Sequence, residues 1–222
     1  MAGKVFGDYI TLLGSGTLDT LYMTGMAALF AYLLGLPLGI ALVVTERSGP
    51  SPRPVFNRVL GGVINVVRSV PFIILLIAVI PFTRLVVGTT IGATASVVPL
   101  ALGAVPFIAR MVESSLKELD PGVIEASQSM GASLPQIVFR VLIPESLPSL
   151  VLGATITVIT LIGYSAMAGA VGGGGLGDIA IRYGYYRYQK DLMFLTIALL
   201  LVIVQVVQST GNLLSHRVDR KK

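Results

Sequence analysis

Residues 125–144 read EASQSMGASLPQIVFRVLIP, a polar interval in an otherwise apolar chain. Just before this stretch, Asp120 offers an acceptor for a helix N-cap, and Pro121 has a φ already fixed at a helical value. Gly131 can end the helix, because glycine takes the left-handed conformation without a Cβ penalty. The stretch therefore opens with a predicted short helix that is capped at both ends.

A second short helix is predicted directly after Gly131. Residues 133–136, Ser-Leu-Pro-Gln, have the spacing of a capping box, and Pro144 interrupts the helix that they begin. Two short capped helices that meet at a glycine form a compact unit. A partner protein could grip such a unit and move it as a rigid body.

The composition places this stretch within an integral membrane protein. Hydrophobic residues make up 54% of the chain and charged residues 12%, and the mean hydropathy is +0.86. A membrane span needs about 20 largely apolar residues. The predicted fold class is therefore an all-α integral membrane protein with five transmembrane helices, at residues 20–45, 59–83, 85–109, 146–177 and 192–216.

The remaining segments complete the predicted organisation. Residues 1–19 are predicted to be an amphipathic segment at the outer face, and residues 20–216 the transmembrane domain. The loop of residues 110–145 joins the third and fourth spans, and the third span is predicted to continue past Arg110 as a solvated helix with a Glu113–Lys117 pair. Residues 217–222 form a basic tail.

The distribution of basic residues predicts the orientation. If the loop of residues 110–145 is cytoplasmic, eleven of the sixteen Lys and Arg residues lie on or near that side. They are Arg47, Arg53, Arg58, Arg68, Arg110, Lys117, Arg140, Arg217, Arg220, Lys221 and Lys222. This bias predicts an external N-terminus and a cytoplasmic C-terminus. Anionic membrane lipid explains the net charge of +5, so no nucleic-acid partner is needed.

A glycine pair in the first span predicts close helix packing. Gly35 and Gly39 are separated by three residues, with Pro37 between them as an expected kink. The pair is compatible with a specific dimer contact or with the ordinary tolerance of membrane helices for glycine.

The stretch of residues 125–144 resembles the EAA motif, E-A-A-x3-G-x9-I-x-L-P, of permeases in binding-protein-dependent ABC importers. The matching positions are Glu125-Ala126-Ser127, Gly131 and Val141-x-Ile143-Pro144, with small or volume-conserving changes at three of them. The resemblance implies a cytoplasmic coupling helix between the third and fourth spans. Its ATPase-coupling residues are Glu125, Ala126, Ser127, Met130, Gly131 and Ala132.

Four longer stretches of the sequence resemble one group within these permeases, the permeases of methionine importers. These blocks are RSVPFIILL from Arg68, IPFTR from Ile80, PFIARMVE from Pro106 and ITVITLIGYSAM from Ile156. The similarity extends from about residue 17 to residue 215. It implies a homodimer in the bacterial cytoplasmic (inner) membrane, with two cytoplasmic ATPase subunits that carry a methionine-sensing domain and an external methionine-binding lipoprotein.

Four residues are candidates for the translocation path. Arg68 is the only charge in the predicted second span, and it is expected to face a cavity or to pair near the loop after Met111. The alternative is that it snorkels to the headgroups from a helix that begins near Ser69. Tyr164, Ser165 and Met167 bring polarity and a thioether into the fourth span. Ordinary helix packing is the alternative interpretation for these three.

The residues that the chain lacks exclude several kinds of site. None of the five lysines is followed by Ser or Thr, so the sequence contains no G-x4-G-K-[ST] phosphate loop. No acidic residue lies inside a predicted span, there is one histidine, and there is no cysteine. We therefore expect a transport subunit without catalytic residues, metal or cofactor. The resemblance to ABC importers implies that ATP and Mg²⁺ bind to the partner ATPase. A permease for another small amino acid and a passive channel or scaffold subunit are the alternatives.

Overall fold

The computed structural model describes the backbone of residues 2–219 and the side chains from Tyr9 onward. Every regular element in this range is helical, which confirms the predicted all-α class. The helices are α1 (Ala2–Val44), α2 (Pro54–Arg68), α3 (Phe72–Ala78), α4 (Ile80–Val87), α5 (Ala93–Lys117), α6 (Pro121–Ser129), α7 (Leu134–Ile137), α8 (Ile143–Glu145), α9 (Leu147–Gly169), α10 (Gly175–Ile179) and α11 (Lys190–Val218). Two π-helical segments, Val138–Leu142 and Ala180–Tyr185, follow α7 and α10.

Four of these helices are long and apolar enough to cross a membrane: Tyr9–Val44 within α1, and all of α5, α9 and α11. A fifth span requires that α2 and α3 act together, and this pair is bent by 96° at the break between them. The structure therefore supports four to five spans, against the five that were predicted.

The second predicted span, 59–83, is not one helix. It is divided among α2, α3 and α4, with breaks at residues 69–71 and at Val79. Pro71 explains the first break, because proline lacks an N–H donor and disfavours the helical conformation at the residue before it. Arg68 is therefore the last residue of α2, and the next helix, α3, begins at Phe72, three residues after Ser69. Whether Arg68 faces a cavity or the headgroups stays a prediction.

Residues 2–19 do not form a separate segment. They belong to α1, which runs without interruption through Pro37 to Val44. The hydroxyls of Thr20 and Thr24 are satisfied inside this helix, since each donates to the carbonyl four residues earlier. The side chains of Lys4 and Asp8 lie outside the described residues, and the location of this segment at the outer membrane face stays a prediction.

Glycines with positive φ move the boundaries of the third and fourth predicted spans. Gly88 (φ +81°) and Gly92 (φ +97°) form turns, so α5 begins at Ala93 and not at residue 85. The predicted extension of this helix past Arg110 is confirmed as far as Lys117. The fourth span, predicted to reach residue 177, ends at Gly169, because three of the following glycines (Gly172, Gly174 and Gly175) have positive φ.

The last helix agrees most closely with its predicted span. Helix α11 covers the predicted range 192–216 and extends a few residues beyond it at each end. The first two residues of the predicted basic tail, Arg217 and Val218, therefore belong to α11. Arg220, Lys221 and Lys222 lie outside the described residues.

The chain divides into two compact units. The first unit contains residues 2–30, 70–104 and 158–208, and its core is a cluster of Leu13, Leu176, Ile179 and Leu192. The buried hydroxyl of Thr20 accepts a hydrogen bond from the Leu176 N–H at 2.9 Å. This bond fixes the start of the short helix α10 against α1.

The second unit contains residues 31–69, 105–157 and 209–219. Leu42, Ile64 and Ala109 form a buried cluster that joins α1, α2 and α5. Gly35 and Gly39 allow α1 to approach α5 closely, because a Cβ on either residue would lie within 3 Å of Ile108 or Val112. The glycine pair therefore makes a packing contact within one subunit.

Gly39→Val is expected to lower the folded yield and the melting temperature of the purified subunit. An added Cβ would lie 2.6 Å from the Val112 Cβ and 2.7 Å from the Ala109 carbonyl oxygen, and overpacking of this kind costs about 1–3 kcal/mol. Thermal unfolding in detergent measures the effect. The matched control is Gly25→Val in the same helix, where an added Cβ meets nothing within 4 Å. Equal melting of the two variants would contradict the packing role of Gly39.

Candidate functional site

Helix α6 begins as the sequence predicts. The Asp120 side chain accepts a hydrogen bond from the Gly122 N–H at 2.8 Å, and Pro121 occupies the first helical turn. An N-cap acceptor satisfies one of the donors that a helix leaves unpaired at its start. The short helix is therefore stabilised at the point where the chain leaves α5.

The other end of α6 is closed by Gly131, which has a φ of +78°. The Gly131 N–H donates to the Gln128 carbonyl at 2.9 Å, and the Ala132 N–H donates to the Ser127 carbonyl at 3.1 Å. These two bonds define a Schellman motif, in which a left-handed glycine satisfies the last carbonyls of a helix. Both predicted caps of α6 are confirmed.

The segment after α6 differs from the prediction at Pro144. Gln136 Oε1 accepts from both the N–H and the hydroxyl of Ser133, at 2.8 and 3.0 Å, as expected for the start of a helix. That helix does not stop at Pro144, because the π-helical segment Val138–Leu142 widens before the proline and α8 continues through it. The wider turn avoids the clash between a proline ring and the carbonyl four residues earlier.

Most of the predicted coupling residues face outward. The Met130 side chain is 80% exposed, Glu125, Ala126 and Gly131 are also exposed, and Ala132 is half-buried. Ser127 is the exception: it is buried, and its hydroxyl donates to the Val123 carbonyl at 2.8 Å. Five of the six residues are therefore available to a partner, whereas Ser127 lies on the face that packs against its own subunit.

Helix α6 is attached to the loop between α1 and α2. The Gln128 side-chain amide donates to the Pro50 carbonyl at 3.3 Å. Lys117, which precedes α6 in the sequence, forms ion pairs with Glu46 of this loop and with Glu113, both at 3.0 Å. A displacement of α6 would therefore act on this loop and on the end of α5.

Arg110 connects this network to α2. Arg110 pairs with Glu113 at 2.6 Å and donates to the Gly61 carbonyl at 2.9 Å. Ion pairs with partly exposed members contribute about 0–1 kcal/mol each to the free energy of unfolding. The network therefore serves mainly to position the loop between α1 and α2, and α2 itself, against α5. The Glu113–Lys117 pair was predicted from its i,i+4 spacing, and the i,i+3 spacing of Arg110 and Glu113 is a signal of the same kind. Glu46 and Gly61 lie far from Lys117 and Arg110 in the sequence, so no residue spacing predicted their contacts.

The candidate path residues differ in their exposure and in their local contacts. Tyr164 stacks on Phe72, with ring centroids 4.3 Å apart and planes within 3° of parallel. Ser165 is buried and donates to the Ile162 carbonyl at 2.7 Å, whereas the Met167 side chain is 48% exposed. Tyr164 and Met167 are one helical turn apart, and Ser165 faces elsewhere. Arg68 is exposed at the end of α2 and belongs to the second unit.

The two faces of α9 predict different thiol accessibility. Met167→Cys is expected to react with a small aqueous thiol reagent at all times if its face lines water, because the side chain is half-exposed. Ser165→Cys is expected to react in one nucleotide state only, since this position opens only if α9 moves. The natural chain has no cysteine, so each variant carries a single thiol. Labelling of Ser165→Cys that never depends on ATP would remove this residue from the path.

Comparison with known proteins establishes the family. Residues 35–220 match the family described as binding-protein-dependent transport system inner membrane component. The chain belongs to this family. As a permease of this family, it is a multi-pass membrane protein and a transport subunit, not an enzyme.

Several relatives of this permease are similar over nearly its whole length. It is 51% identical over 210 residues to the probable D-methionine transport system permease protein MetI of Vibrio cholerae, covering 95% of this chain and 93% of that protein. It is 43% identical over 212 residues to the methionine import system permease protein MetP of Bacillus subtilis, covering 96% of each. A chain of the MetNI methionine ABC transporter in an inward-facing conformation superposes with a TM-score of 0.94 at 49% identity, covering 95% of this chain and 98% of that one.

Proposed function

We propose that this chain is the membrane-spanning subunit of an ATP-driven methionine importer. The observation that carries this proposal is the likeness to the MetNI chain, which combines a TM-score of 0.94 with 49% identity. Relatives named for methionine or D-methionine transport from several bacteria support it. The chain itself provides the path for the substrate and the surface through which a separate ATPase drives transport.

The proposed assembly is a homodimer of this chain with two cytoplasmic ATPase subunits and an external methionine-binding lipoprotein. ATP and Mg²⁺ bind to the ATPase, which fits a permease sequence without a phosphate loop. The assembly lies in the bacterial cytoplasmic (inner) membrane, in contact with lipid, with the N-terminus outside and the C-terminus and α6 inside. The excess of Lys and Arg on the α6 side supports this orientation.

Helix α6 is the proposed coupling helix. It is short, capped at both ends and exposed along the face that carries Glu125, Ala126 and Met130. Closure of the ATPases on ATP would pull α6 as a rigid body and change the arrangement of the spans. The Gln128–Pro50 and Lys117–Glu46 contacts would carry this displacement to the loop between α1 and α2.

The proposed path includes Tyr164, Ser165 and Met167 of α9, together with Arg68. Tyr164 is held by its stack on Phe72 in the first unit, and separation of the two rings would expose the face of each. The buried position of Ser165 fits a closed state of such a path.

The names of the relatives leave the stereochemistry of the substrate to experiment, because some specify D-methionine and others methionine. A bacterial strain that requires methionine and lacks its own importers provides the test. Expression of this chain with its ATPase and binding protein is expected to restore growth on low L- or D-methionine. Restored growth of a histidine or leucine auxotroph, without rescue by either form of methionine, would assign the permease to another amino acid.

A further inference from the structure

The loop between α1 and α2 is folded tightly against the end of α1. The Ser51 N–H donates to the Val44 carbonyl and the Arg53 N–H to the Thr45 carbonyl, both at 3.0 Å. The Asn57 side-chain amide donates to the Leu42 carbonyl at 2.6 Å. These bonds hold Arg53 in a defined place, immediately before the first residue of α2.

An apolar groove of about 440 Å³ lies beside this loop. Pro37 and Val44 of α1 form one side, Phe56 of α2 forms another, and Leu134 and Phe139 complete it. The side chains of Phe56 and Phe139 are 52% and 69% exposed. Such large exposed apolar side chains around an open groove indicate a surface that another apolar group covers.

The polar end of the groove carries a positive charge without an anion. Arg53 lines the groove and makes neither an ion pair nor a side-chain hydrogen bond with the part of the chain that the structure describes. The start of α2 has no side-chain cap and no acidic residue in its first turn. Glu46, the only acidic residue of this loop, is paired with Lys117. A guanidinium and the first N–H groups of a helix both favour an anionic oxygen.

We propose that this groove binds an anionic phospholipid, with its phosphate beside Arg53 and an acyl chain along the apolar walls. The groove lies where the long apolar helix α1 ends and α2 begins, which is where a headgroup meets its acyl chain at a membrane boundary. An acyl chain has no backbone groups to satisfy, so it suits walls that offer almost no hydrogen-bond partners. A lipid is therefore a better match for the groove than a peptide.

Because of the position of the groove, a bound lipid would affect transport. Leu134 and Phe139 belong to the segment directly after α6, and the opposite wall belongs to the ends of α1 and α2. A lipid between these walls would hold the segment after α6 against the loop that Gln128 also contacts. The bilayer composition would then influence the position of α6.

Native mass spectrometry of the full purified chain tests this site without any partner protein. The probes are phosphatidylglycerol and phosphatidylcholine with identical acyl chains. The wild type is expected to retain one phosphatidylglycerol per subunit in preference to phosphatidylcholine. Arg53→Gln is expected to lower the affinity for phosphatidylglycerol about fivefold, the effect of one basic residue near an anionic headgroup.

Two further variants distinguish the contribution of the Arg53 charge from that of the space inside the groove. Arg47→Gln removes the same charge from the same loop at a residue that does not line the groove, and it is expected to bind like the wild type. Ala41→Phe leaves the charge unchanged and fills the groove, and it is expected to lose the bound lipid. Gel filtration verifies that each variant is folded.

Three results would overturn the proposal. They are equal retention of the two lipids by the wild type, unchanged binding by Arg53→Gln, and a disulfide between two copies of Phe139→Cys that forms in the absence of lipid. The last result would assign the groove to contact with a second copy of the chain. None of these results bears on methionine transport, so the lipid site and the proposed function can fail separately.

Discussion

Gly131→Val is expected to abolish ATP-driven transport while the subunit still folds and inserts into the membrane. Gly131 has a φ of +78°, a conformation that costs a non-glycine residue about 1–2 kcal/mol and a β-branched residue more. An added Cβ would meet nothing within 4 Å, so the effect comes from the backbone and not from a clash. The strained residue would release the Ala132–Ser127 bond and misplace the end of α6. We expect uptake to fall at least tenfold.

Uptake into membrane vesicles, normalised to the amount of inserted subunit, measures this effect. Gly131→Asn is the matched control, because asparagine adopts the left-handed conformation more readily than other non-glycine residues. It is expected to retain a large part of the activity. Normal uptake by Gly131→Val would show that the geometry at the end of α6 does not matter for coupling.

Ala126→Arg is expected to separate the permease from its ATPase. Ala126 is exposed on α6, so the longer side chain can extend into solvent without disturbing the subunit. A coupling helix that fits into a cleft of the ATPase has no space for an arginine at that position. The expected result is at least a tenfold loss of ATPase in co-purification, with unchanged gel filtration of the permease alone.

Ala126→Ser controls for the change at this position, because serine is nearly as small and already occupies the next residue of the chain. It is expected to co-purify with the ATPase like the wild type. If Ala126→Arg retains the ATPase as well, then this face of α6 is not the contact surface. Another part of the loop of residues 110–145 would then be the site of coupling.

The caps of α6 could be predicted from the sequence because capping is local. Asp120, Pro121 and Gly131 act on backbone groups within a few residues, and their positions in the chain determine the contacts. The extension of α5 to Lys117 followed in the same way from an i,i+4 charge pair. Local chemistry was therefore a reliable guide in this part of the chain.

The breaks in the second span were missed because hydropathy outweighed the local signal. Pro71 marks the break, but it lies in a long apolar run that reads as one span. The reverse error occurred in α1, where scattered polar residues suggested a separate segment and the helix continues through them. An average over about 20 residues detects a span but not its interruptions.

Contacts between distant residues could not be predicted from a single sequence. The Lys117–Glu46 ion pair joins residues 71 positions apart, and the stack of Phe72 on Tyr164 joins α3 to α9. Nothing in the local pattern indicates either contact. The burial of Ser127 also depends on the neighbours of α6, so the motif alone could not show which of its residues face inward.

Transport in proteoliposomes distinguishes an ATP-driven methionine permease from a passive membrane protein. The proposed homodimer of this chain, its ATPase and the proposed external methionine-binding protein are reconstituted together, with ATP supplied on the ATPase side. Labelled methionine is expected to accumulate inside the liposomes only when ATP is hydrolysed, and Gly131→Val is expected to stop this accumulation while the assembled subunits remain in the membrane. Accumulation of methionine that does not require ATP, or ATP hydrolysis without any accumulation of methionine by the wild type, would contradict it.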